Sequence, residues 1–281
     1  MNYIKEPEIK ELIELALKED IGIRDITTEM VIPKRICAKA VIIAKQDLVV
    51  CGISLAGLVF KTFDTKLKFK ANVKDGDSVK KGKILALISG EARSILSAER
   101  VALNFLSLLC AISTKTRKLN CAVKPYKTKI LDTRKTIPGL RLLEKYAVRI
   151  GGGYNHRISL DEMILVKDNH IMIIGGIEKL TGFSRKYKVE IEVKSLKELK
   201  EALRLNPDII MLDNMSSSAM RKAVKARNKF NTKKRPKLEA SGGITLNNIE
   251  KAASTGVDFI SLGNLTNSIE SPDISLEIIK N

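Results

Sequence analysis

From residue 129 to residue 264, six short apolar runs recur: KILDTRKT (129–136), MILVKDNH (163–170), VEIEVKS (189–195), DIIMLDN (208–214), KLEASGG (237–243) and FISLGN (259–264). Helical stretches separate them. A strand–helix rhythm of about 20–35 residues per unit predicts a parallel sheet, because parallel neighbours need a crossover between them. Each run ends in polar or small residues: Arg134-Lys135, Lys167-Asp168, Glu192, Asp213-Asn214, Ser241-Gly242-Gly243 and Gly263-Asn264. A doubly wound sheet gathers its ligand residues at one switch point and opens on a glycine fingerprint that this chain lacks. An α/β barrel, whose chemistry sits at the C-terminal ends of its strands, is the predicted architecture.

The segment before residue 129 follows another grammar. AKAVIIAK and DLVVCGI read as strands, and Asp75-Gly76-Asp77 and Lys81-Gly82-Lys83 as turns, so residues 25–90 form a β-rich unit. Residues 94–119 have helical periodicity, with Ser97 as the expected cap. The first twenty residues read as an amphipathic helix without the features of a signal peptide, and VALNFLSLLCAI (101–112) is too short to span a bilayer. The spacings of Cys37, Cys51, Cys110 and Cys121 suit neither a zinc knuckle nor a redox dithiol, so buried, reduced thiols in a cytoplasmic protein are expected.

The chain carries 50 Lys+Arg against 32 Asp+Glu, a formal charge of +18, in an otherwise ordinary globular composition. Such an excess suits nucleic acid, an anionic membrane or a strongly anionic small substrate. Its distribution is uneven: residues 91–170 hold 15 basic and 7 acidic side chains, together with both histidines, His156 and His170. The tract TKKRPK (232–237) reads as solvated surface.

In DTRKTIPGLR (132–141) two cations follow a strand, and Pro138-Gly139 redirects the chain toward a helix. Arg134 suits bidentate contact with a carboxylate or phosphate, and Lys135 is a compact point charge. GGGYNHRISL (151–160) places His156-Arg157 after three glycines, and LVKDNHI (165–171) brings Lys167 out of an apolar strand. Glu192 and Asp213 end the next two strands. They suit ribose hydroxyls, a divalent metal or a developing cation, or serve to neutralise neighbouring lysines. EASGGI (239–244) and SLGN (261–264) place glycines where barrels bind phosphate through backbone amides, the alternative being simple tight turns.

These linked motifs, together with ALKEDIGIRDITTEMVIP, DGDSVKKGK and SAERVALNFLSLLCAIST, closely resemble the quinolinate phosphoribosyltransferase family along nearly the whole chain. The resemblance implies an N-terminal α/β sandwich (1–112, with tail 268–281 packing back on it) and an irregular, incomplete parallel α/β barrel (113–267). It implies a cytoplasmic homodimer, with hexamers left open, in which Arg100 acts in the partner's site. Quinolinate would meet Arg100, Arg134, His156, Arg157 and Lys167. Phosphoribosyl pyrophosphate would meet Lys135 and Lys167, Glu192 and Asp213, and a cup of Ser241, Gly242, Gly243, Gly263 and Asn264, with Mg2+ held by Glu192 and Asp213. Lys135, Lys167, Glu192 and Asp213 would be the catalytic set. The implied reaction yields nicotinate mononucleotide, pyrophosphate and CO2 in NAD synthesis, with no nucleic acid or membrane partner.

Two positions depart from the family pattern: Arg24 where a glycine usually precedes the Asp, and Asn267 where a histidine is common. Two rivals frame the assignment. One is a paralogous group linked to molybdenum transport, disfavoured by Leu140-Arg141 after Pro138-Gly139 and by an intact Lys167-Asp168-Asn169-His170. The other is a basic nucleic-acid-binding protein, disfavoured by 4% aromatic content and the lack of a recognisable motif.

Overall fold

A computed structural model describes residues 6–181, 183, 186–231 and 234–279. In chain order the elements are α1 (Glu6–Ile21), α2 (Ile26–Val31), β1 (Cys37–Ala44), β2 (Leu48–Val49), α3 (Ile53–Phe63), β3 (Lys68–Ala71), β4 (Ser78–Val79), β5 (Ile84–Glu91) and α4 (Ala92–Ala122). The strand–helix alternation then begins with β6 (Lys129–Leu131), α5 (Arg141–Ile150), β7 (Met163–Val166), α6 (Asp168–Ile174), β8 (Lys188–Val193) and α7 (Leu196–Arg204). It ends with β9 (Ile209–Asp213), α8 (Ser217–Lys229), β10 (Lys237–Ser241), α9 (Ile249–Ala253), β11 (Phe259–Ser261), α10 (Asn264–Asn267) and β12 (Ile274–Ile279). Two compact units result: residues 1–117, 137–152 and 268–281 form one, residues 118–136 and 153–267 the other. By this division the first unit runs past residue 112 and takes in α5 and residues 268–281.

In the first unit β1 lies between β12 and β5, antiparallel to both, and β3 extends the far edge. The core of β1 is the continuous buried run Ala40-Val41-Ile42, as expected of a central strand. Helix α3 buries Leu55, Ala56, Val59 and Phe60, and the Phe60 and Phe69 rings stack with centroids 6.0 Å apart. Gly57 permits that approach, because a Cβ there would lie 2.7 Å from the Phe69 ring.

Asp75 supports the start of α3: one carboxylate oxygen accepts from the Gly52 and Ile53 amides, the other from the Tyr146 hydroxyl at 2.7 Å. Ser97 is no helix cap, since α4 begins five residues earlier; its hydroxyl donates instead to Asp25, which itself caps α2 by accepting the Thr28 amide. The departure residue Arg24 makes an exposed pair with Glu29 at 3.9 Å. Cys51 and Cys110 are buried, with the Cys51 amide on the Cys110 sulfur, but Cys37 and Cys121 are exposed. Only half of the expected set of buried thiols is found. Helix α4, at 31 residues, is the one helix among those described that is long and apolar enough to cross a membrane, and 61% of its most apolar window is buried inside the fold.

The second unit contains the predicted parallel sheet, six strands in the order β6-β11-β10-β9-β8-β7. Among the described residues its edges, β6 and β7, do not pair with one another, so the barrel is incomplete. Residues around Tyr154 run beside β6: the Tyr154 amide donates to the Ile130 carbonyl and the Asp132 amide to the Tyr154 carbonyl. The basic tract at 232–237, of which residues 232 and 233 lie outside the described residues, has structural partners. Lys234 pairs with Asp208, and Lys237 with Asp258 at 2.8 Å. Asp258 also takes Arg227 at 2.8 Å and the Leu238 amide, tying α8 to the starts of β10 and β11.

Glu144 on α5 is fully buried and accepts the Ile137 amide. Burial pushes its carboxyl up from 4.5 to about 7, more than that amide and Arg141 pull it down. A carboxyl raised in the folded state leaves stability unaffected below its unfolded pKa and costs stability as pH rises through the folded one. Glu144→Gln is therefore expected to match the parent near pH 4.5 and to gain in urea midpoint by about pH 8. A difference between the two proteins that does not grow with pH would contradict this account.

Candidate active site

Period-two alternation decides which side chains share a face of the sheet. In VEIEV of β8 it turns Glu190 and Glu192 to one side and Val189, Ile191 and Val193 to the other. The parallel register sets Glu192 and Glu239 beside Met211, and Ser241 beside Asp213. Glu192, Asp213 and Ser241 thus lie at the C-terminal ends of adjacent strands, as the sequence predicts.

Burial raises the Glu192 carboxyl, and the neighbouring charges of Asp213 and Asp168 raise it further against the pull of Lys167 and Lys194. Like-charged carboxylates held together favour a bound cation. Their hard oxygen donors suit magnesium. A cavity of about 310 Å³ opens here, lined by Asp168, Met172, Glu192 and Lys194. Asp168 is engaged with Lys194 at 2.8 Å, and His170 accepts the Lys167 amide at the start of α6.

The glycine-rich turns adjoin. Gly242 (φ +86°) and Gly243 (φ +61°) follow β10, and a Cβ on Gly242 would lie 2.3 Å from the Asn214 side-chain oxygen. Asn214, itself at φ +51°, donates its amide to Asp213 at 3.0 Å and its backbone N–H to the Ser241 carbonyl at 2.9 Å. Asn214 therefore links the acid to the glycine turn. Lys135 runs against Gly263, where a Cβ would lie 2.8 Å from its Cδ, and the buried Thr266 hydroxyl donates to the Lys135 carbonyl at 2.7 Å. This joins the DTRKT loop to SLGN. Asn264 and the departure residue Asn267 begin and end α10, and the Asn267 side-chain nitrogen would lie 3.7 Å from a Cβ on Gly263.

The His156-Arg157 segment is different, because it lies in the loop before β7 rather than at a strand end. Buried Asp132 accepts the His156 amide at 2.8 Å and the Asn155 side chain. His156 Nε2 lies 2.8 Å from Glu190 and 3.8 Å from Glu239, both fully buried. Burial drives both carboxyls well above the usual range; Arg157 draws Glu190 down, while Glu190 raises Glu239 further. In the structure the His156 ring nitrogens face Glu190 and the Arg157 amide. The nitrogen and two carboxylates lie within 4.8 Å of one another, a set whose chemistry suits zinc better than magnesium.

Arg157 donates to the Met163 carbonyl at 2.9 Å and, with Tyr154, His156 and Lys188, lines a cavity of about 470 Å³ that reaches the strand starts. Desolvation, then the charge of Arg134, lowers the Arg157 pKa. The Nε atoms of both Arg134 and Arg157 are buried without a protein partner. Two neighbouring guanidinium groups with unmet donors form a receptor for an anion. Arg100 belongs to the other unit, exposed on α4, next in sequence to the partly buried Glu99.

Comparison with known proteins identifies the family. Residues 25–110 match the model for the quinolinate phosphoribosyl transferase N-terminal domain, and residues 112–277 that for the C-terminal domain. The chain belongs to the quinolinate phosphoribosyltransferase family. It is similar to a rice (Oryza sativa) carboxylating nicotinate-nucleotide pyrophosphorylase, with 42% identity over 96% of this chain and 78% of the relative. It is also similar to a Nicotiana tabacum decarboxylating quinolinate phosphoribosyltransferase, at 40% over 96% and 82%. The solved nicotinate-nucleotide pyrophosphorylase of Francisella tularensis superposes with TM-score 0.92 and 39% identity, over 99% of this chain and 98% of that one.

Sequence reasoning missed Asp132, Asn214, Glu190, Glu239 and Thr266, which contact the candidate residues. The alternation in VEIEV and KLEAS carried the signal for the two buried glutamates, since both fall on the face that holds Glu192 and Ser241. In the Gly242 turn, Gly242→Ala and Gly243→Ala each add left-handed strain of about 1–2 kcal/mol. Only the former would also clash with Asn214, whose side-chain oxygen lies 3.8 Å from a Cβ on Gly243. The urea midpoint is expected to fall further for Gly242→Ala, and Asn214→Gly is expected to recover part of the difference; equal losses would show that the Asn214 contact is yielding.

Proposed function

We propose that this chain transfers the phosphoribosyl group of phosphoribosyl pyrophosphate to quinolinate with loss of CO2, yielding nicotinate mononucleotide and pyrophosphate for NAD synthesis. The observation that carries the reading is the pair of buried, unpartnered guanidinium nitrogens of Arg134 and Arg157 beside one another. Two adjacent carboxylates on a planar ring match them, and Lys167 adds a third cation. Lys135 meets the pyrophosphate, and Ser241, Gly242, Gly243, Gly263 and Asn264 cradle the 5′-phosphate. Glu192 and Asp213 face the ribose.

As the C1′–O bond to pyrophosphate breaks, positive charge develops on the ribose, and the two carboxylates stabilise it. The quinolinate nitrogen supplies the electron pair for the new C1′–N bond. Loss of the 2-carboxylate as CO2 leaves its bonding electrons on the ring carbon, which then takes a proton, and the surrounding cations favour that build-up of negative charge. Magnesium, if held by Glu192 and Asp213, would neutralise the leaving pyrophosphate. The enzyme works in the cytoplasm as a homodimer in which Arg100 completes the partner's site, and its excess charge serves anionic small substrates rather than nucleic acid.

Supplied with phosphoribosyl pyrophosphate and magnesium but no ATP, purified protein should convert quinolinate, and not nicotinate, to the mononucleotide with stoichiometric CO2. Turnover of nicotinate alone would overturn the assignment. Arg157→Ala should raise the quinolinate KM by about tenfold or more, as loss of a charged hydrogen-bond partner implies. For the dimer, mixing inactive Arg100→Ala and Glu192→Ala chains should restore some activity, since some mixed sites carry neither lesion; mixed dimers without recovery would remove Arg100 from the site.

A further inference from the structure

His156 is fixed at three points. Asp132 accepts its backbone N–H, the Arg157 amide donates to Nδ1 at 2.9 Å, and Nε2 lies 2.8 Å from Glu190. A ring nitrogen that accepts an amide hydrogen carries no proton, so the proton of the neutral ring resides on Nε2 and points at Glu190. The same amide that Nδ1 holds belongs to the residue whose guanidinium lies beside Arg134.

We propose that Glu190 is a positioning residue for the dicarboxylate grip: by accepting the Nε2 proton it sets the His156 ring, and the ring sets the backbone that aims Arg157. This rests on the quinolinate reading above. Glu190 is fully buried and bound to the ring, so it acts on the substrate at second hand. An acceptor oxygen at position 190, rather than a particular charge, is what the arrangement requires. Glutamine should therefore serve and leucine should not.

Imidazole 15N NMR tests this directly, because the chain holds only two histidines, His156 and His170, and a His170→Gln sample identifies the His156 signals. Wild type should show His156 neutral, protonated at Nε2 and bare at Nδ1, before and after saturation with quinolinate. Glu190→Gln should keep that signature and a quinolinate KM within about threefold of wild type, whereas Glu190→Leu should lose it and raise that KM about tenfold, with the phosphoribosyl pyrophosphate KM unchanged. If the leucine variant does not fold, the wild-type and glutamine tautomers still decide. A doubly protonated His156 in the quinolinate complex of an active enzyme would make the ring itself the carboxylate ligand and overturn the positioning role alone. Stoichiometric zinc that is lost in Glu239→Gln would overturn it in favour of a metal centre. A wild type that never turns over quinolinate would sink the substrate reading and the proposal together.

Discussion

Uncompensated positive charge at the open sheet of the second unit is the constraint around which the site is organised. Arg134 lies close enough to Arg157 for its charge to act on it, and both retain a buried Nε donor without a protein acceptor. Leaving such donors unmet costs folding free energy that a stability-optimised chain would avoid. The arrangement persists because the protein answers only part of the charge from within: Glu190 draws on Arg157 from a buried position while remaining bound to His156. What is left over is suited to an anion.

Burial gives the acids two different roles. Glu192 and Asp213, at the strand ends, keep partial exposure and can face a sugar or a cation. Glu190 and Glu239, on the same faces one alternation earlier, are sealed from water, where an ionised carboxylate is expensive and a hydrogen-bonded or neutral one is not. A two-residue step along a strand therefore separates a partly exposed acid from a sealed one. The glycine turns work similarly: Gly242 and Gly263 lack side chains where Asn214 and Lys135 need the space. The candidate groups are set by contacts between loops that sequence separates widely.

The alternating architecture was legible because strand and helix periods differ and because polar residues punctuate the strand ends. Lys135, Glu192, Asp213, Ser241 and Gly242 could be placed from that pattern alone. Ser97 reads as a cap only while the helix start at Ala92 is hidden, and α5 joins the first unit because packing, not chain order, allots an element to its core. The ring contacts of His156 were not legible, since a histidine beside an arginine resembles a ligand until the tertiary fold presents Glu190 to it. Asp132 shows the same limit. Within DTRKT it reads as one more polar residue, and only the strand-like passage of residue 154 beside β6 makes it an anchor for the histidine segment.

The net charge is explained in layers rather than as a single feature. Lys234 and Lys237 pair with Asp208 and Asp258 and secure strand starts, so part of the tract that reads as solvated surface has a structural use. Arg227 is nearly buried and engaged with the same Asp258. These strand-start cations meet protein carboxylates, while beside Arg157, whose cavity reaches the strand starts too, Glu190 is withdrawn into the interior. The difference is one of partner placement: a cation whose partner is fixed beside it has little left for a ligand, whereas Arg157, drawn on by the buried Glu190, keeps a buried Nε donor unpaired.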